Sequence, residues 1–268
     1  KLVKGDTLAA LLTDRKDATE DRSKLLGIFQ QVCQTMAYAH SRRVIHRDLK
    51  PANIMVGAFG EVQVMDWGLA KVLANGGIAD ERRARGTKPG HSLIQTIRNT
   101  DPQASIGTKK SFGSVGSDTQ MGSVMGTPAY MPPEQALGEV DRLDERADVF
   151  GLGAILCEIL TGKPPYVGEH GTQVFRQASL GKIDDCFARL DACGVESELT
   201  DLAKQALAPE PERRCRNASV VAEGITSYLA GVQERLKDAE LAQAEAQASA
   251  EHATRRRKLV LAIAALMV

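Results

Sequence analysis

The 268-residue sequence lacks an excess of charge of either sign, because 34 Lys and Arg residues balance 34 Asp and Glu residues. A chain without net charge gives no electrostatic reason to expect nucleic acid as a partner. Paired cysteines are also absent, since the five cysteines are scattered and none forms a Cys-x-x-Cys pair. This pattern argues against a disulfide framework or a zinc site and indicates reduced thiols in a cytosolic compartment. Cys33 and Cys157 lie in apolar helical stretches, where we expect them to pack in the core.

The sequence has no signal peptide at its start and does not begin with Met, so we expect a fragment of a longer protein. It also lacks an apolar run of the roughly 20 residues that cross a bilayer. Its last stretch, residues 259–268, is wholly apolar and follows a basic cluster at residues 255–258. Such a cluster typically flanks a membrane span on its cytoplasmic side, so we expect residues 258–268 to begin a truncated transmembrane helix. A hydrophobic tail packed on the domain is the alternative.

The chemistry of the sequence is concentrated in two short motifs. Residues 46–53 read His-Arg-Asp-Leu-Lys-Pro-Ala-Asn, and Asp-Trp-Gly follows at residues 66–68. Phosphoryl transfer needs a base that positions the acceptor, a cation on the moving phosphate and oxygen ligands for magnesium. Residues of these types occur here in the order of the protein-kinase signature set, namely Asp48, Lys50, Asn53 and Asp66. From about residue 1 to residue 230, the chain therefore resembles the eukaryotic-like bacterial Ser/Thr protein kinases, specifically their membrane-anchored members.

The resemblance implies a mainly α fold, the C-terminal lobe of the α+β protein-kinase fold, with a few short β-strands around the catalytic loop. We expect the N-terminal lobe to be missing from this chain, because the sequence contains no Gly-x-Gly-x-x-Gly and no strand that could carry the nucleotide-binding Lys. We expect three parts: a kinase lobe over residues 1–230, an Ala- and Glu-rich juxtamembrane helix over residues 231–257, and the membrane segment over residues 258–268. Residues 231–257 could also pair as a weak coiled coil and give a homodimer.

Local patterns predict the elements of this lobe. A helix over residues 21–41 repeats apolar residues at helical spacing, and we expect further helices at 146–160, 170–180, 197–207 and 217–230. Short strands are predicted at residues 44–45, 54–56 and 62–64. Residues 74–124 lose apolar periodicity and become rich in Gly, Ser and Thr, which indicates a disordered insertion in the activation loop.

The resemblance implies a role for each candidate catalytic residue. Asp48 would be the catalytic base, and Lys50 would contact the γ-phosphate, which favours Ser or Thr over Tyr as the acceptor. Asn53 and Asp66 would hold Mg²⁺. Thr127 would hydrogen-bond Asp48 and Lys50 and keep both in place.

The resemblance also implies weaker assignments around the nucleotide. The backbone of Val3 would lie against the adenine of ATP, Thr7 near the ribose and Met55 under the adenine ring. For regulation, Arg47 resembles the arginine that pairs with a phosphate on the activation loop, and Thr119 or Ser123 would accept that phosphate.

Other residues of the motifs are expected to be structural. His46 would buttress the catalytic loop, and Trp67 replaces the usual Phe of the family before Gly68. Asp148 would accept backbone N–H bonds from the catalytic loop. Glu134 is expected to form a buried pair with Arg214.

The functional expectation is a Ser/Thr protein kinase that uses ATP and Mg²⁺ on protein substrates, with a cytoplasmic kinase domain anchored to the cell membrane. The fragment alone is expected to be inactive, because half of the nucleotide pocket has no wall. The alternative is a pseudokinase-like scaffold that binds partner proteins without catalysis, although such a scaffold would not need Asp48, Lys50, Asn53 and Asp66 together.

Overall fold

The computed structural model describes residues 5–73 and 126–266, with the side chains described as far as residue 247. The predicted insertion at residues 74–124 and the predicted site residues Val3, Thr119 and Ser123 lie outside these ranges. The chain divides into two compact units, Lys1–Ala222 and Glu223–Val268.

The first unit is mostly helical, which confirms the predicted fold class. The α-helices are α1 (Leu8–Thr13), α2 (Arg22–Ser41), α3 (Pro133–Ala136), α4 (Glu145–Thr161), α5 (Gly171–Ser179), α6 (Asp184–Ala192) and α7 (Ser197–Ala206). Helix α8 (Ala218–Leu266) begins in this unit and makes up most of the second. Short 3₁₀ turns occur at Pro51–Asn53, Trp67–Leu69, Pro128–Tyr130, Val140–Arg142 and Pro211–Arg213.

The strands form two small antiparallel sheets around the loop that carries the first motif. Strand β3 (Ile54–Gly57) lies between β1 (Gly5–Thr7) and β4 (Val62–Val64). In their register Thr7 is opposite Met55 and Ile54 is opposite Val64. Strand β2 (Val44–Ile45) pairs with β5 (Lys71–Val72). The loop that carries the first motif therefore follows β2 and precedes β3, and the chain then turns back so that β4 pairs with β3.

Helix α4 is the centre of the core. Nearly all of its residues are buried, as expected for a helix that is apolar on all sides. The Asp144 carboxylate caps its first turn by accepting the Arg146 N–H at 2.9 Å. Gly162, with a φ of 75°, ends it in the left-handed conformation that glycine adopts freely. Helices α2 and α7 pack against it.

The structure also adds elements that the periodicity did not predict. Helix α6 was not predicted, and helix α8 runs without a break across residue 230, where we expected one helix to end and another to begin. Its Ala, Glu, Gln and Lys residues are strong helix formers, so the chain has no local reason to stop. Residues 233–247 of α8 are exposed. Among the helices that the structure describes, none carries an apolar stretch sufficient to cross a membrane.

Candidate active site

The carboxylate of Asp48 is bonded on both of its oxygens. Its Oδ1 accepts hydrogen bonds from the backbone N–H of Thr127 at 3.0 Å and from the Thr127 hydroxyl at 3.1 Å. Its Oδ2 accepts from Lys50 Nζ at 2.7 Å and from Asn53 Nδ2 at 3.2 Å. Lys50 Nζ also donates to Thr127 Oγ1 at 2.7 Å. The structure thus brings together all four residues predicted to be catalytic, and it holds Asp48 in one orientation.

The backbone of the loop before Asp48 is held by a buried carboxylate on α4. Asp148 accepts the backbone N–H groups of His46 and Arg47, each at 2.8 Å. Its Oδ2 also lies 2.9 Å from His40 Nε2 on α2. Arg47 has a φ of 69°, a left-handed conformation that is uncommon outside glycine. Asp148 therefore anchors the loop where the backbone is strained, which is the role the resemblance implies for it.

His46 connects this loop to the second motif. It is fully buried, and its Nδ1 accepts the Asp48 backbone N–H at 3.3 Å. Its Nε2 therefore carries the proton and donates to the Met65 carbonyl at 2.8 Å. The ring also meets Trp67 edge to face, with the centroids 4.7 Å apart. These contacts use both ring nitrogens of His46, which therefore has a structural role and holds the two motifs together.

Asp66 lies beside Asn53 because β3 and β4 are paired. The backbone N–H of Met65 donates to the Asn53 carbonyl at 2.8 Å, so Asp66, which follows the end of β4, comes close to Asn53, which precedes β3. Asp66 has a φ of 57° and is exposed. A Cβ at Gly68 would lie 3.3 Å from Asp66 Oδ1, a close contact beside the carboxylate.

Asn53 and Asp66 carry oxygen atoms of the type that binds Mg²⁺. The amide nitrogen of Asn53 is engaged by the backbone carbonyl and the carboxylate of Asp48, at 2.8 and 3.2 Å, which leaves its oxygen for a cation. Nowhere in the described ranges do three or more His, Cys, Asp or Glu residues cluster as a metal site. An amide oxygen and a carboxylate, as at Asn53 and Asp66, are ligands of the type that suits Mg²⁺, which takes one or two protein oxygens and completes its shell with phosphates and water.

The segment after Thr127 is tied to α4 by a contact that the motifs did not predict. The Tyr130 hydroxyl donates to Glu158 Oε2 at 2.7 Å. Burial raises the pKa of Glu158, and the bond from Tyr130 acts in the opposite direction. Burial likewise raises the pKa of the Tyr130 hydroxyl. Neither residue carries a local sequence signal, because they are 28 positions apart and meet only in the fold.

Gln135 is a second residue missed by the sequence analysis. Its Nε2 donates to the Arg47 carbonyl at 2.8 Å, so the strained residue is held on both its N–H and its C=O. A Cβ at Gly126 would lie 2.8 Å from the same Nε2, and Gly126 has a φ of 121°. Glycine at 126 therefore makes room for the amide that supports the loop.

The predicted pair of Glu134 and Arg214 forms in the interior. Two parallel bonds join the guanidinium to the carboxylate, at 2.7 and 2.8 Å. Arg214 also donates to three backbone carbonyls, of Ala208, Pro209 and Arg146. The ion pair is thus bidentate, and the other N–H groups of the Arg214 guanidinium also have hydrogen-bond partners. A buried ion pair is tolerated when its hydrogen bonds are satisfied in this way.

The regulatory and nucleotide residues are less completely defined. Arg47 Nε donates to the Leu69 carbonyl at 2.5 Å, and its proposed phosphate partners lie outside the described residues. Thr7 faces Met55 across the sheet, but its hydroxyl already caps α1 by accepting the Ala10 N–H at 3.2 Å.

Comparison with known proteins agrees with this geometry. The family model described as protein kinase domain matches residues 1–88 and 110–224. The serine/threonine-protein kinase PknD of Protochlamydia amoebophila (strain UWE25) is 30% identical over 241 residues, covering 85% of this chain and 22% of that protein. The serine/threonine-protein kinase PknB of Mycobacterium tuberculosis (strain ATCC 25618 / H37Rv) is 31% identical over 217 residues, covering 81% of this chain and 28% of the relative.

A third relative, the serine/threonine-protein kinase PknD of Chlamydia muridarum (strain MoPn / Nigg), is 32% identical over 210 residues, covering 78% of this chain and 20% of the relative. The chain therefore spans less than a third of the length of the curated relatives it matches. The family model covers most of the chain, including the site formed by Asp48, Lys50, Asn53 and Thr127. The chain therefore belongs to the protein kinase family.

Proposed function

We propose that the protein containing this chain is a Ser/Thr protein kinase that transfers the γ-phosphate of ATP to Ser or Thr hydroxyls of proteins. The observation that carries this proposal is the Asp48 carboxylate, held by Thr127 on one oxygen and by Lys50 and Asn53 on the other. The family membership and the names of the relatives support the same reaction.

Asp48 would accept the hydrogen bond of the substrate hydroxyl and aim its oxygen at the phosphorus. A carboxylate has about four lone-pair sites, and four bonds to Asp48 are already made. The incoming hydroxyl would therefore replace one of them. The Asn53 contact is the longest at 3.2 Å and is the one we expect to yield.

Lys50 would supply the positive charge for the transferred phosphate. Its ammonium group has three donors, of which two are used on Asp48 and Thr127. Within the described part of the chain the third donor has no partner and is available for a phosphate oxygen, a role that a compact ammonium suits. Thr127 thus positions the base and the cation at once.

ATP and Mg²⁺ are the cofactors of this proposal. Asn53 and Asp66 would hold the metal through their oxygens. Magnesium, when bound, would neutralise charge on the nucleotide phosphates. We expect Asp66→Asn to raise the magnesium concentration needed for half-maximal transfer, because it exchanges an anionic ligand for a neutral one.

The decisive experiment is a phosphate-transfer assay on the full gene product with labelled ATP and a mixed protein substrate, followed by phosphoamino acid analysis. We expect label on Ser and Thr, no label on Tyr, and loss of transfer in Lys50→Met. A folded gene product that transfers no phosphate would favour the scaffold alternative.

We also propose regulation through Arg47, with a phosphate on Thr119 or Ser123 as its partner. The support is the basic side chain next to Asp48, together with the density of Ser and Thr before Gly126. Phosphopeptide mapping of the active gene product should find modification within residues 111–127. If that peptide is unmodified in active protein, this part of the proposal is wrong.

Attachment to a membrane and pairing of two copies are proposals that depend on sequence pattern alone. The basic cluster at residues 255–258 before the apolar residues 259–268 supports a cytoplasmic kinase domain near a bilayer. Fractionation of cells that express the gene product would place it in membranes or in the soluble fraction. Crosslinking within residues 231–257 would test the homodimer.

A further inference from the structure

Two cysteines that are distant in the sequence meet inside the lobe. The Sγ atoms of Cys157 on α4 and Cys186 on α6 lie 3.2 Å apart, and both residues are fully buried. The sequence pattern predicted Cys157 to be a packing residue, but in the structure it faces a second thiol. Both are free cysteines. Such a contact is unusual for residues whose only role is to fill space, because any apolar side chain would serve.

The surroundings of the pair favour a thiolate on Cys157. The hydrogen bond from the Cys186 thiol lowers the pKa of Cys157 most, and the Thr161 hydroxyl and the charge of Arg189 lower it further against the effect of burial. The same bond and burial raise the pKa of Cys186. The two sulfurs are therefore unequal, and Cys157 is the one that loses its proton more readily.

Arg189 supplies a cation near the sulfurs. It follows Cys186 by three residues on α6, and its Nη2 donates to the carbonyls of Pro164 and Pro165 at 2.7 and 3.2 Å. Its buried Nε has no hydrogen-bond partner within the described part of the chain. A guanidinium with an unused donor stabilises a nearby anion, and an anion at Cys157 would satisfy this need.

We propose that Cys157 and Cys186 form a redox-active dithiol, which a hydroperoxide converts into an intramolecular disulfide. The Cys157 thiol loses its proton, and the thiolate attacks one oxygen of the peroxide, so that the O–O bond breaks and a sulfenic acid forms on Cys157. The Cys186 sulfur then attacks that sulfenic sulfur, and water leaves. In total, two thiols are oxidised by two electrons and one hydrogen peroxide is reduced to two waters.

The geometry permits this bond with a small movement. A disulfide has a sulfur–sulfur distance of about 2.05 Å, so the two Sγ atoms must approach by only about 1 Å from their separation of 3.2 Å. Cys157 Sγ also contacts the Thr161 hydroxyl and the Lys163 carbonyl, at the solvent-facing end of α4.

The experiment uses the reduced 268-residue chain. It is exposed to hydrogen peroxide under native conditions, unfolded, labelled with N-ethylmaleimide and digested for mass spectrometry. We expect a peptide that links Cys157 to Cys186 and has lost two hydrogens, while the other three cysteines carry the label. Dithiothreitol should reverse the link. The melting temperature should rise by roughly 5 °C on oxidation, because a cross-link across 29 positions restricts the unfolded chain.

Two comparisons distinguish oxidation of two thiols that the fold brings together from nonspecific oxidation of cysteines. Oxidation in urea should lower the yield of the Cys157–Cys186 link about tenfold relative to other pairs, because the fold no longer brings the sulfurs together. In Cys186→Ala the sulfenic acid on Cys157 should form more slowly, because the thiol that most lowers the Cys157 pKa is gone, but it should persist and react with dimedone. Cys193→Ser should form the link as the unchanged chain does. Should Cys186→Ala fail to fold, the mass measurement on the unchanged chain decides alone. Five labelled cysteines after peroxide treatment, or a link between any other pair, would overturn the proposal.

Discussion

At the scale of single residues, three carboxylates in and around the site are bonded on both of their oxygens. Asp48, Asp148 and Glu134 each receive bonds on both oxygens, and each is buried or nearly so. A buried carboxylate bonded in this way is fixed in orientation, and removing one partner leaves a desolvated charge. Substitutions that keep the shape of these side chains but change their charge are therefore the sharpest tests.

The first prediction concerns Asp48. In the full gene product, Asp48→Asn should lower kcat by about 10²–10⁴-fold, because an amide cannot serve as the base although it fits the same space. Steady-state phosphate transfer measures this effect. Asp201→Asn, the same change at an exposed position on α7, should leave kcat unchanged. A kcat within twofold of the unchanged protein for Asp48→Asn would remove Asp48 from the catalytic role.

The second prediction compares a buried ion pair with an exposed one. Glu134→Gln should reduce the free energy of unfolding by about 3–5 kcal/mol, because the Arg214 charge remains buried without its partner. Glu139→Gln should reduce it by less than about 1 kcal/mol, because Glu139 pairs with Arg142 at the surface, where the arginine side chain is 71% exposed. Urea denaturation of the 268-residue chain measures both. Equal losses would show that the buried pair contributes no more than the exposed one.

At the scale of elements, α4 positions the site because it lies close to both the catalytic loop and α7. Gly151 meets the loop, where a Cβ would lie 2.9 Å from Leu49 Cβ, and Gly153 meets α7, where a Cβ would lie 2.8 Å from Ala206 Cβ. Glycines at these two positions let the helix approach its neighbours closely. The approach in turn brings Asp148 within hydrogen-bond distance of the loop backbone.

The third prediction uses two helical glycines in opposite surroundings. Gly153→Ala should destabilise the chain by about 1–3 kcal/mol, because the added methyl group overpacks the contact between α4 and α7. Gly27→Ala, in α2, should stabilise it by about 0.5–1 kcal/mol, since a Cβ there meets no atom within 4 Å. Thermal unfolding of the two variants beside the parent chain measures the difference. Effects of the same sign would contradict the close packing of α4 on α7.

Element prediction from the sequence succeeded where the signal was local. The apolar spacing of α2 and the short runs of β2, β3 and β4 were read directly from the chain, and the observed bounds differ from the predicted ones by a residue or so. Helix α6 was missed, and α8 is one continuous helix over residues that were predicted to form separate helices. Helix ends depend on tertiary contacts as well as on composition, so these are the places where local patterns fail.

At the scale of the whole molecule, the 268 residues contain the base, the lysine and the metal ligands of the proposed reaction but no Gly-x-Gly-x-x-Gly sequence. A kinase needs that glycine-rich loop, together with a lysine on a strand of the other lobe, to hold the phosphates. The 268 residues therefore contain only part of the set of residues that the proposed reaction needs to hold the nucleotide.

The fourth prediction follows from this incomplete set of nucleotide-binding residues. The isolated 268-residue chain should bind ATP weakly and transfer no phosphate, whereas the full gene product should do both. Calorimetric titration with ATP and Mg²⁺ and a transfer assay on the two proteins measure the contrast. Turnover by the isolated chain that disappears in Asp48→Asn would show that the second half of the pocket is not required.

The sequence by itself determined which chemical groups are present and on which local elements they stand, because motif order and apolar spacing are properties of neighbouring residues. It pointed to Asp48, Lys50, Asn53 and Asp66 through motif order, and family resemblance added the contacts of Thr127, Asp148 and Arg214. Only the tertiary structure decided the contacts of Tyr130 with Glu158, Gln135 with the Arg47 carbonyl, and Cys157 with Cys186. These partners are separated by 28, 88 and 29 positions, and their meeting depends on how closely the helices pack, which no local pattern encodes.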